Sequence, residues 1–180
     1  MGILLGFSPF ITFALMTRFA PPAISLWIAA AVSGVLLLRE RMRGRSLKVL
    51  EAGTFSLFAL LGIYTAVAQV HWDISGVRSV VDAGLLLVVL LSLVIRRPFT
   101  LQYAREMVPS AVHQSPLFIR TNYIMTAVWA VAMAVVVAAD LCLHYLPPFP
   151  VWLGTLMIVA ALAGAFGFTT WYPKHLRARH

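Results

Sequence analysis

The sequence predicts an all-α polytopic membrane protein, a bundle of six transmembrane helices of which the first is short and kinked. Hydrophobic residues make up 61% of its 180 residues and charged residues only 11%, whereas charged residues are about a quarter of a typical soluble domain. Mean hydropathy is +0.90. The apolar residues are collected in separate stretches, the longest of which approach the ~20 residues that a hydrocarbon core about 30 Å thick requires.

The six predicted spans belong to one transmembrane domain covering residues 1–180, because no polar stretch is large enough to fold as a second domain. The spans are expected at about residues 3–17, 21–38, 52–70, 79–95, 121–141 and 151–171. Pro9 interrupts the first span and removes a backbone donor, so this helix is expected to be kinked. Pro22 suits the first turn of the second helix, and we therefore expect the first two spans to form a tight helical hairpin.

The basic residues indicate the orientation of the spans. Of the 14 Lys and Arg residues, only Arg18 and Arg78 fall after spans one and three; the other twelve follow spans two, four and six. Cytoplasmic loops carry an excess of Lys and Arg, so both termini are expected in the cytoplasm. We therefore attribute the net charge of +8 to basic residues that orient the spans and attract anionic lipid headgroups at the cytoplasmic face. Nucleic-acid binding is not predicted, because the basic run at 39–48 has no interleaved aromatic residues.

The stretch between spans four and five is the most distinctive segment outside the predicted spans. Spacing of i, i+4 places Phe99, Tyr103 and Met107 on one helical face, which suits a short helix lying in the membrane interface. A docking surface and a plain connector both remain open for this stretch. Its candidate interaction residues are Arg96, Arg97, Tyr103, Arg105 and Glu106.

A second group of candidates lies within or at the ends of the spans, where ionisable groups are costly and therefore functional suspects. For Asp82, a local ion pair with Arg78 at i−4 would also explain a carboxylate within a span. Glu51 is expected near the N-terminal end of a helix, where a carboxylate interacts favourably with the helix dipole. Asn122 has an amide side chain, and such amides commonly form hydrogen bonds between membrane helices. The candidate transport or polar residues are Asp82, Asp140, His144, Glu51 and Asn122.

Neither a metal nor a cofactor is predicted. Asp140 and His144, with His71 and Asp73, offer the imidazole and carboxylate groups that suit zinc, but no His-Glu-x-x-His motif accompanies them. Bis-histidine haem ligation needs histidines within the spans, and the histidines lie outside them. The single cysteine, Cys142, excludes an intramolecular disulfide. Without a Gly-x-Ser-x-Gly motif or a convergent nucleophile and base, the sequence predicts no enzyme.

Short motifs spread over most of the chain carry a family resemblance. The first span contains Phe7-Ser8-Pro9-Phe10, and span three is entered through Leu50-Glu51-Ala52-Gly53-Thr54-Phe55. A basic-proline step, Arg97-Pro98, leaves span four, and residues 122–129 open span five. In these motifs the chain resembles the intracellular septation protein A family of bacterial inner-membrane proteins. Residues 99–103 look unlike the better-known members, as in a divergent branch.

The resemblance implies a multi-pass protein of the bacterial inner membrane that acts in cell-envelope maintenance or division. It implies no enzymatic activity and points to membrane lipids and to envelope or division proteins as partners. The alternative, drawn from Asp82, Asp140 and the broken first helix, is a small ion- or proton-coupled transporter or channel. The sequence predicts neither the identity of a substrate or partner nor the oligomeric state.

Overall fold

The computed structural model describes residues 2–146 and 148–177, so Arg179 and His180, placed after span six in the sequence, lie outside the described residues. Within the described ranges every regular element is helical, and the prediction of an all-α protein is confirmed. A short 3-10 turn at Ser110–Val112 precedes the sixth α-helix. In chain order the helices are α1 (Gly2–Met16), α2 (Pro22–Met42), α3 (Val49–Ala68), α4 (Ile74–Val94), α5 (Phe99–Arg105), α6 (Pro116–Tyr145) and α7 (Val151–Arg177).

Five helices of the described chain are long and apolar enough to cross a membrane: α2, α3, α4, α6 and α7. The first helix, α1, has 15 residues. At 1.5 Å per residue it rises about 22 Å, less than the ~30 Å of a hydrocarbon core. The prediction of a short first helix is confirmed, but six full-length spans are not found. The helix continues through Pro9, and the kink stays a prediction.

Three helices end at a residue with a left-handed backbone, the usual conformation after a helix C-terminus. After α2 this residue is Gly44, with φ +68°, whose N–H donates to the Arg41 carbonyl at 3.1 Å. Gln69, with φ 49°, and Arg96, with φ 56°, have the same role after α3 and α4. Glycine adopts this conformation without the steric cost that other residues meet, so the two larger residues are less favourable there.

The chain divides into two compact units, with the boundary inside α4 after Val88. The first unit contains α1, α2, α3 and most of α4, and its core surrounds Phe58, which is fully buried. The ring of Phe58 lies 5.1 Å from that of Phe10 and 5.6 Å from that of Phe13. The short α1 is therefore part of the core of this unit. The other buried members of the core are Leu26, Ala29, Ala30, Val77 and Val81.

Two glycines allow α3 and α4 to approach within the first unit. A Cβ at Gly53 would lie 2.5 Å from Val88 Cγ1, and a Cβ at Gly84 would overlap the side chain of Leu57. The pairing is reciprocal, with each helix providing one glycine and one large apolar side chain. Gly53 and Gly84 therefore permit close approach of the two helices, and membrane helices commonly associate through small residues of this kind.

The second unit contains the end of α4 and α5, α6 and α7. Val136 and Ala139 of α6 pack with Ile158 of α7 in its core. The indole N–H of Trp129 donates to Thr169 Oγ1 at 3.0 Å, and the Trp129 side chain is buried. Trp129 lies deeper in its predicted span than a tryptophan of the interfacial belt, and this bond between α6 and α7 explains why.

The glycines of α7 do not all contribute to packing. A Cβ at Gly154 would lie 2.7 Å from Leu143 Cδ1, so this residue does allow α6 and α7 to approach. A Cβ at Gly164 or at Gly167 would have no described atom within 4 Å beyond its own helical backbone. Of these three glycines, only Gly154 permits close approach to a neighbouring helix among the described residues.

Candidate interaction surface

The last turn of α2 and the loop that joins it to α3 present a set of exposed guanidinium groups. Met42, beside them, is 80% exposed, and Leu47 is 52% exposed, so apolar side chains accompany the charged ones. This combination of cationic and apolar groups suits contact with a lipid surface. We call the exposed arginines the basic loop; they are Arg39, Arg41, Arg43 and Arg45.

Lys48 differs from these arginines because it is buried, with 2% of the residue exposed. Its ammonium Nζ lies 2.9 Å from Glu40 Oε2 and 3.3 Å from Glu51 Oε1. The Arg45 guanidinium reaches the same Glu40 oxygen at 3.5 Å. Two nearly buried carboxylates, with 13% and 9% of their side chains exposed, thus share one buried cation.

The local sequence explains how this ion network forms. Glu40 lies in the last turns of α2, and the left-handed Gly44 reverses the chain directly after the helix. Lys48 has an extended backbone and immediately precedes α3, whose first turn contains Glu51. A cation at a helix N-terminus is unfavourable to the helix dipole, and the two carboxylates offset that effect. The network therefore fixes the loop that carries the basic residues.

Asp82 has the local partner that its spacing predicts. Its Oδ2 lies 3.9 Å from Arg78 Nε at the i,i+4 separation, with 19% of the Asp82 side chain exposed. The ion-pair interpretation of Asp82 is confirmed. Within the first unit, Glu51 and Asp82 therefore belong to two separate ion pairs, Glu51 with Lys48 and Asp82 with Arg78.

Asp140 and His144 lie near the end of α6. Asp140 is buried, with 4% of the residue exposed, while His144 is exposed and its ring lies 4.6 Å from that of Tyr145. The described residues contain no group of three or more His, Cys, Asp or Glu placed to hold a metal ion. A buried carboxylate on an apolar helix is the feature of this pair that calls for an explanation.

Asn122 belongs to a neutral cluster at the other end of α6. Its amide Nδ2 donates to the Phe118 carbonyl at 2.9 Å, within its own helix. The bond between helices comes instead from Thr100, whose hydroxyl contacts the main-chain carbonyl oxygen of Asn122 and the side-chain oxygen Oγ1 of Thr126, each at 2.8 Å. Asn122 Oδ1 is buried without a hydrogen-bond partner among the described residues. The prediction that the Asn122 side chain bonds across helices is wrong.

The candidate interaction segment around α5 is only partly at the surface. Tyr103 and Phe99 are buried, with 3% and 0% exposed, and the Phe99 ring meets Trp129 edge-on at 6.4 Å. Met107 lies beyond the end of α5 and is 72% exposed. The expected face of three apolar side chains turned towards lipid is therefore wrong, because α5 packs on α6. The exposed members of the segment are Arg96, Arg97, Arg105 and Glu106.

The polar candidates do not form one site within the second unit. Asn122 lies in the first part of α6 and Asp140 in its last part, separated by about 27 Å of helix at 1.5 Å per residue. Asn122 lies beside the hydroxyl groups of Thr100 and Thr126, at the opposite end of α6 from the buried Asp140.

Two residues of importance were not singled out by the sequence. Lys48 was counted only as part of the basic run at 39–48, although its i,i+3 spacing from Glu51 is a signal that it forms an ion pair. Thr100 had no such signal, because its partners Asn122 and Thr126 lie 22 and 26 positions away. The contact arises only when α5 folds back onto α6.

Comparison of the chain with protein-family models, with curated proteins and with solved structures gives no match. The length and composition of the apolar helices indicate a membrane protein, and the arrangement of its charged residues is the main guide to its function.

Proposed function

We propose that this chain is a non-enzymatic, six-span protein of the bacterial inner membrane with both termini in the cytoplasm. It acts in envelope maintenance or division through contacts with anionic lipids and partner proteins. The observation that carries the proposal is the contrast within the α2–α3 loop. Four arginines are exposed in that loop and in the last turn of α2 before it, while Lys48 is buried and held by two carboxylates.

The ion network supports a role for the loop in recognition. A loop that only joined two helices would have no need of a buried lysine, which is costly to desolvate unless it is paired. Arg39 and Arg41 lie on α2, and the network holds the turn that carries Arg43 and Arg45. Less conformational freedom is therefore lost when these groups meet a headgroup. Each basic residue near an anionic surface contributes about 1 kcal/mol, and the loop brings four together.

The six-span topology is supported by the packing of α1. Phe13 is buried against Phe58 in the first unit, so α1 lies beside α3 rather than apart from it. A helix shorter than the hydrocarbon thickness is tolerated through local thinning of the bilayer. The seven residues of α5 reach only about 10 Å, which is too short to add a span between α4 and α6.

Cysteine labelling tests the topology. In a Cys142→Ser background, single cysteines at Gly2 and Ser46 are exposed to a membrane-impermeant maleimide in intact and permeabilised cells. We expect both sites to react only after permeabilisation, because two spans separate them. Reaction of Gly2→Cys in intact cells would show that α1 does not cross and would remove the six-span proposal.

A variant that neutralises the loop tests its role. We expect Arg39→Gln/Arg41→Gln/Arg43→Gln to reduce the preference for spin-labelled anionic over zwitterionic phospholipid severalfold in reconstituted membranes. Arg18→Gln, in the loop predicted on the opposite side, is the matched control and should leave the preference unchanged. Equal preference in the unsubstituted protein and both variants would contradict the proposal, provided that labelling shows unchanged topology.

Loss of partners is tested through the second basic segment. Arg97→Ala/Arg105→Ala, at two exposed positions flanking α5, should reduce recovery of cross-linked envelope proteins while membrane levels stay normal. Unchanged recovery and unchanged cell shape would count against an interaction role.

A second candidate function, ion- or proton-coupled transport, is favoured by one observation, the burial of Asp140 on α6. Intramembrane carboxylates commonly mark ion pathways. This candidate predicts a proton- or ion-dependent flux in proteoliposomes that Asp140→Asn abolishes. No flux under either polarity of the gradient would remove it.

A further inference from the structure

A cavity of about 440 Å³ lies at the end of the α2–α3 hairpin opposite the basic loop. Ligand pockets commonly have volumes of about 300 to 1,000 Å³. The cavity contains none of the candidate transport or interaction residues, and it lies within the first unit. The residues of its lining that matter here are Ala23, Trp27, Gly62, Thr65, Gln69 and His71.

The apolar wall of the cavity depends on a glycine. A Cβ at Gly62 would lie 3.1 Å from Trp27 Cε2, so the missing side chain lets the indole lie against α3. Trp27 is nevertheless 46% exposed, which leaves part of its ring for contact with a ligand. Aromatic side chains present large apolar area together with one polar N–H.

Three of the polar side chains that border the cavity are exposed and are available to a ligand. The side chains of Trp27, Gln69 and His71 make no hydrogen bond to any residue that the structure describes. Trp72 differs from these side chains because its indole N–H does have a partner: it donates to Thr65 Oγ1 at 2.7 Å. That bond engages the one hydroxyl among the described residues of the cavity wall. The side chains that remain around the cavity offer the N–H donors of Trp27, Gln69 and His71, with the Gln69 amide oxygen and one imidazole nitrogen as acceptors.

We propose that this cavity binds one phospholipid molecule, with an acyl chain against Trp27 and the glycerophosphate oxygens at Gln69 and His71. Phosphate and ester oxygens of a phospholipid accept hydrogen bonds and donate none, whereas indole, amide and imidazole groups donate them. From Gly62 to Gln69, α3 rises about 10 Å. The apolar wall thus runs inward from the polar rim, in the same order as the chain and headgroup of a lipid.

The backbone at Gln69 is consistent with a ligand at the rim. Gln69 ends α3 with φ 49°, the conformation that Gly44 adopts with φ +68° at the other end of the hairpin. Glycine is the favourable residue in this region, yet here the chain has a residue with a hydrogen-bonding side chain. Strained non-glycine residues are found preferentially where a side chain contacts a ligand.

Photo-crosslinking in lipid nanodiscs tests the proposal on the full chain. The probe is a phosphatidylglycerol or phosphatidylethanolamine with a diazirine near the start of one acyl chain, and labelled peptides are identified by mass spectrometry. We expect labelling to concentrate on the segments around Trp27 and residues 62–71 and to be competed by unlabelled phospholipid. Labelling spread evenly over lipid-facing residues such as Leu60 and Val159 would overturn the proposal.

A matched pair of variants fills the cavity or leaves it open. Ala66 lines the cavity, so Ala66→Phe should reduce labelling of the two segments at least fivefold. Val67 is 79% exposed and does not line it, so Val67→Phe should leave labelling unchanged. Equal labelling in the two variants contradicts the proposal. Ala66→Leu is the second cavity variant should Ala66→Phe fail to elute as a folded protein.

The donor groups are tested separately from the apolar wall. Gln69→Leu/His71→Leu should lower the retention of phospholipid in native mass spectrometry severalfold, because the glycerophosphate loses its donors. Unchanged retention would overturn the assignment of the headgroup to these residues. Competition of the photo-label by an isoprenyl phosphate but not by a diacyl phospholipid would overturn the assignment of the ligand class.

Discussion

The two units of the molecule hold a connecting segment through polar networks of different kinds. The first unit encloses an ion network, in which Lys48 contacts Glu40 and Glu51. The second encloses a neutral network, in which the Thr100 hydroxyl contacts Thr126 and the Asn122 carbonyl. Both networks hold a connecting segment against a helix, the α2–α3 loop in one unit and α5 in the other.

The difference shows how the cost of a lost contact depends on what is left behind. Removing one member of an ion network leaves a charge in a poorly solvated place, which costs far more than the contact itself contributes. Removing a hydroxyl leaves only a neutral group without one partner. The charged network lies at helix ends, where partial access to water and headgroups makes it tolerable. Substitutions in the two networks should therefore differ in their effect on stability.

The largest effect is expected for Lys48→Met, which leaves Glu40 and Glu51 facing each other without their shared cation. Loss of one partner from a buried ion pair costs about 3 to 5 kcal/mol, and we expect the lower end because both carboxylates keep some exposure. Unfolding of the purified protein in mixed micelles with increasing SDS measures the change.

Arg45→Ala is the control for this prediction. Arg45 contacts the same Glu40 oxygen but has 49% of its side chain exposed, so its loss should cost about 0.5 kcal/mol or less. Combining Lys48→Met with Glu40→Gln and Glu51→Gln should recover much of the lost stability. Equal destabilisation by Lys48→Met and Arg45→Ala would show that burial of the charge is not the cause.

The next effect separates the close helix contact of the first unit from the open glycines of the second. At Gly53 a methyl group would meet the stiff, β-branched side chain of Val88, so Gly53→Ala should destabilise by about 1 to 3 kcal/mol, as overpacking does. Leu57 is more flexible, and Gly84→Ala should cost less. SDS unfolding again measures both values.

Gly164→Ala and Gly167→Ala are the matched controls in α7, where nothing described lies within 4 Å of the added group. Each should be neutral or stabilising by up to about 1 kcal/mol, the difference in helix propensity. Destabilisation by either substitution would mean that another helix occupies this face in the membrane.

The neutral network should respond more weakly than the charged one. Thr100→Val keeps the shape of the side chain and removes its two hydroxyl contacts, with an expected loss of about 1 kcal/mol. Thr126→Val removes only the second contact and should cost less. A loss from Thr100→Val as large as that from Lys48→Met would refute the distinction between the two units.

The smallest effects concern the left-handed residues that end α2 and α4. Gly44→Ala should destabilise the first unit by roughly 1 kcal/mol, because a Cβ is unfavourable in this conformation. Arg96→Gly should stabilise the second unit by less than about 1 kcal/mol, since glycine relieves the same strain. Opposite signs in thermal unfolding are the expected result, and the same sign for both would contradict it.

The sequence predicted the helices better than their contacts. The start of α2 at Pro22, the carboxylate in the first turn of α3 and the ion pair of Asp82 with Arg78 all followed from neighbouring residues. Propensity and i,i+4 spacing act within one or two turns of helix, so they can be read from the chain. Contacts between distant positions are not encoded in this way.

α5 shows where this reasoning failed. The amphipathic spacing of Phe99 and Tyr103 predicted an interfacial helix, and an apolar face does require burial. The pattern does not specify whether lipid or protein provides it. In the structure α6 does so, and both side chains are buried. The candidate interaction segment is consequently reduced to its charged members.

The amino-acid sequence alone indicated that this chain enters a membrane, because apolar length and charge distribution are local properties. It also determined the approximate place of each helix and the location of the basic residues. Only the tertiary structure decided which of those residues are exposed, since Lys48 and Arg43 belong to the same basic run and only Lys48 is buried. The reason is that burial is set by packing against residues from other helices, and the choice of those neighbours is a property of the folded chain.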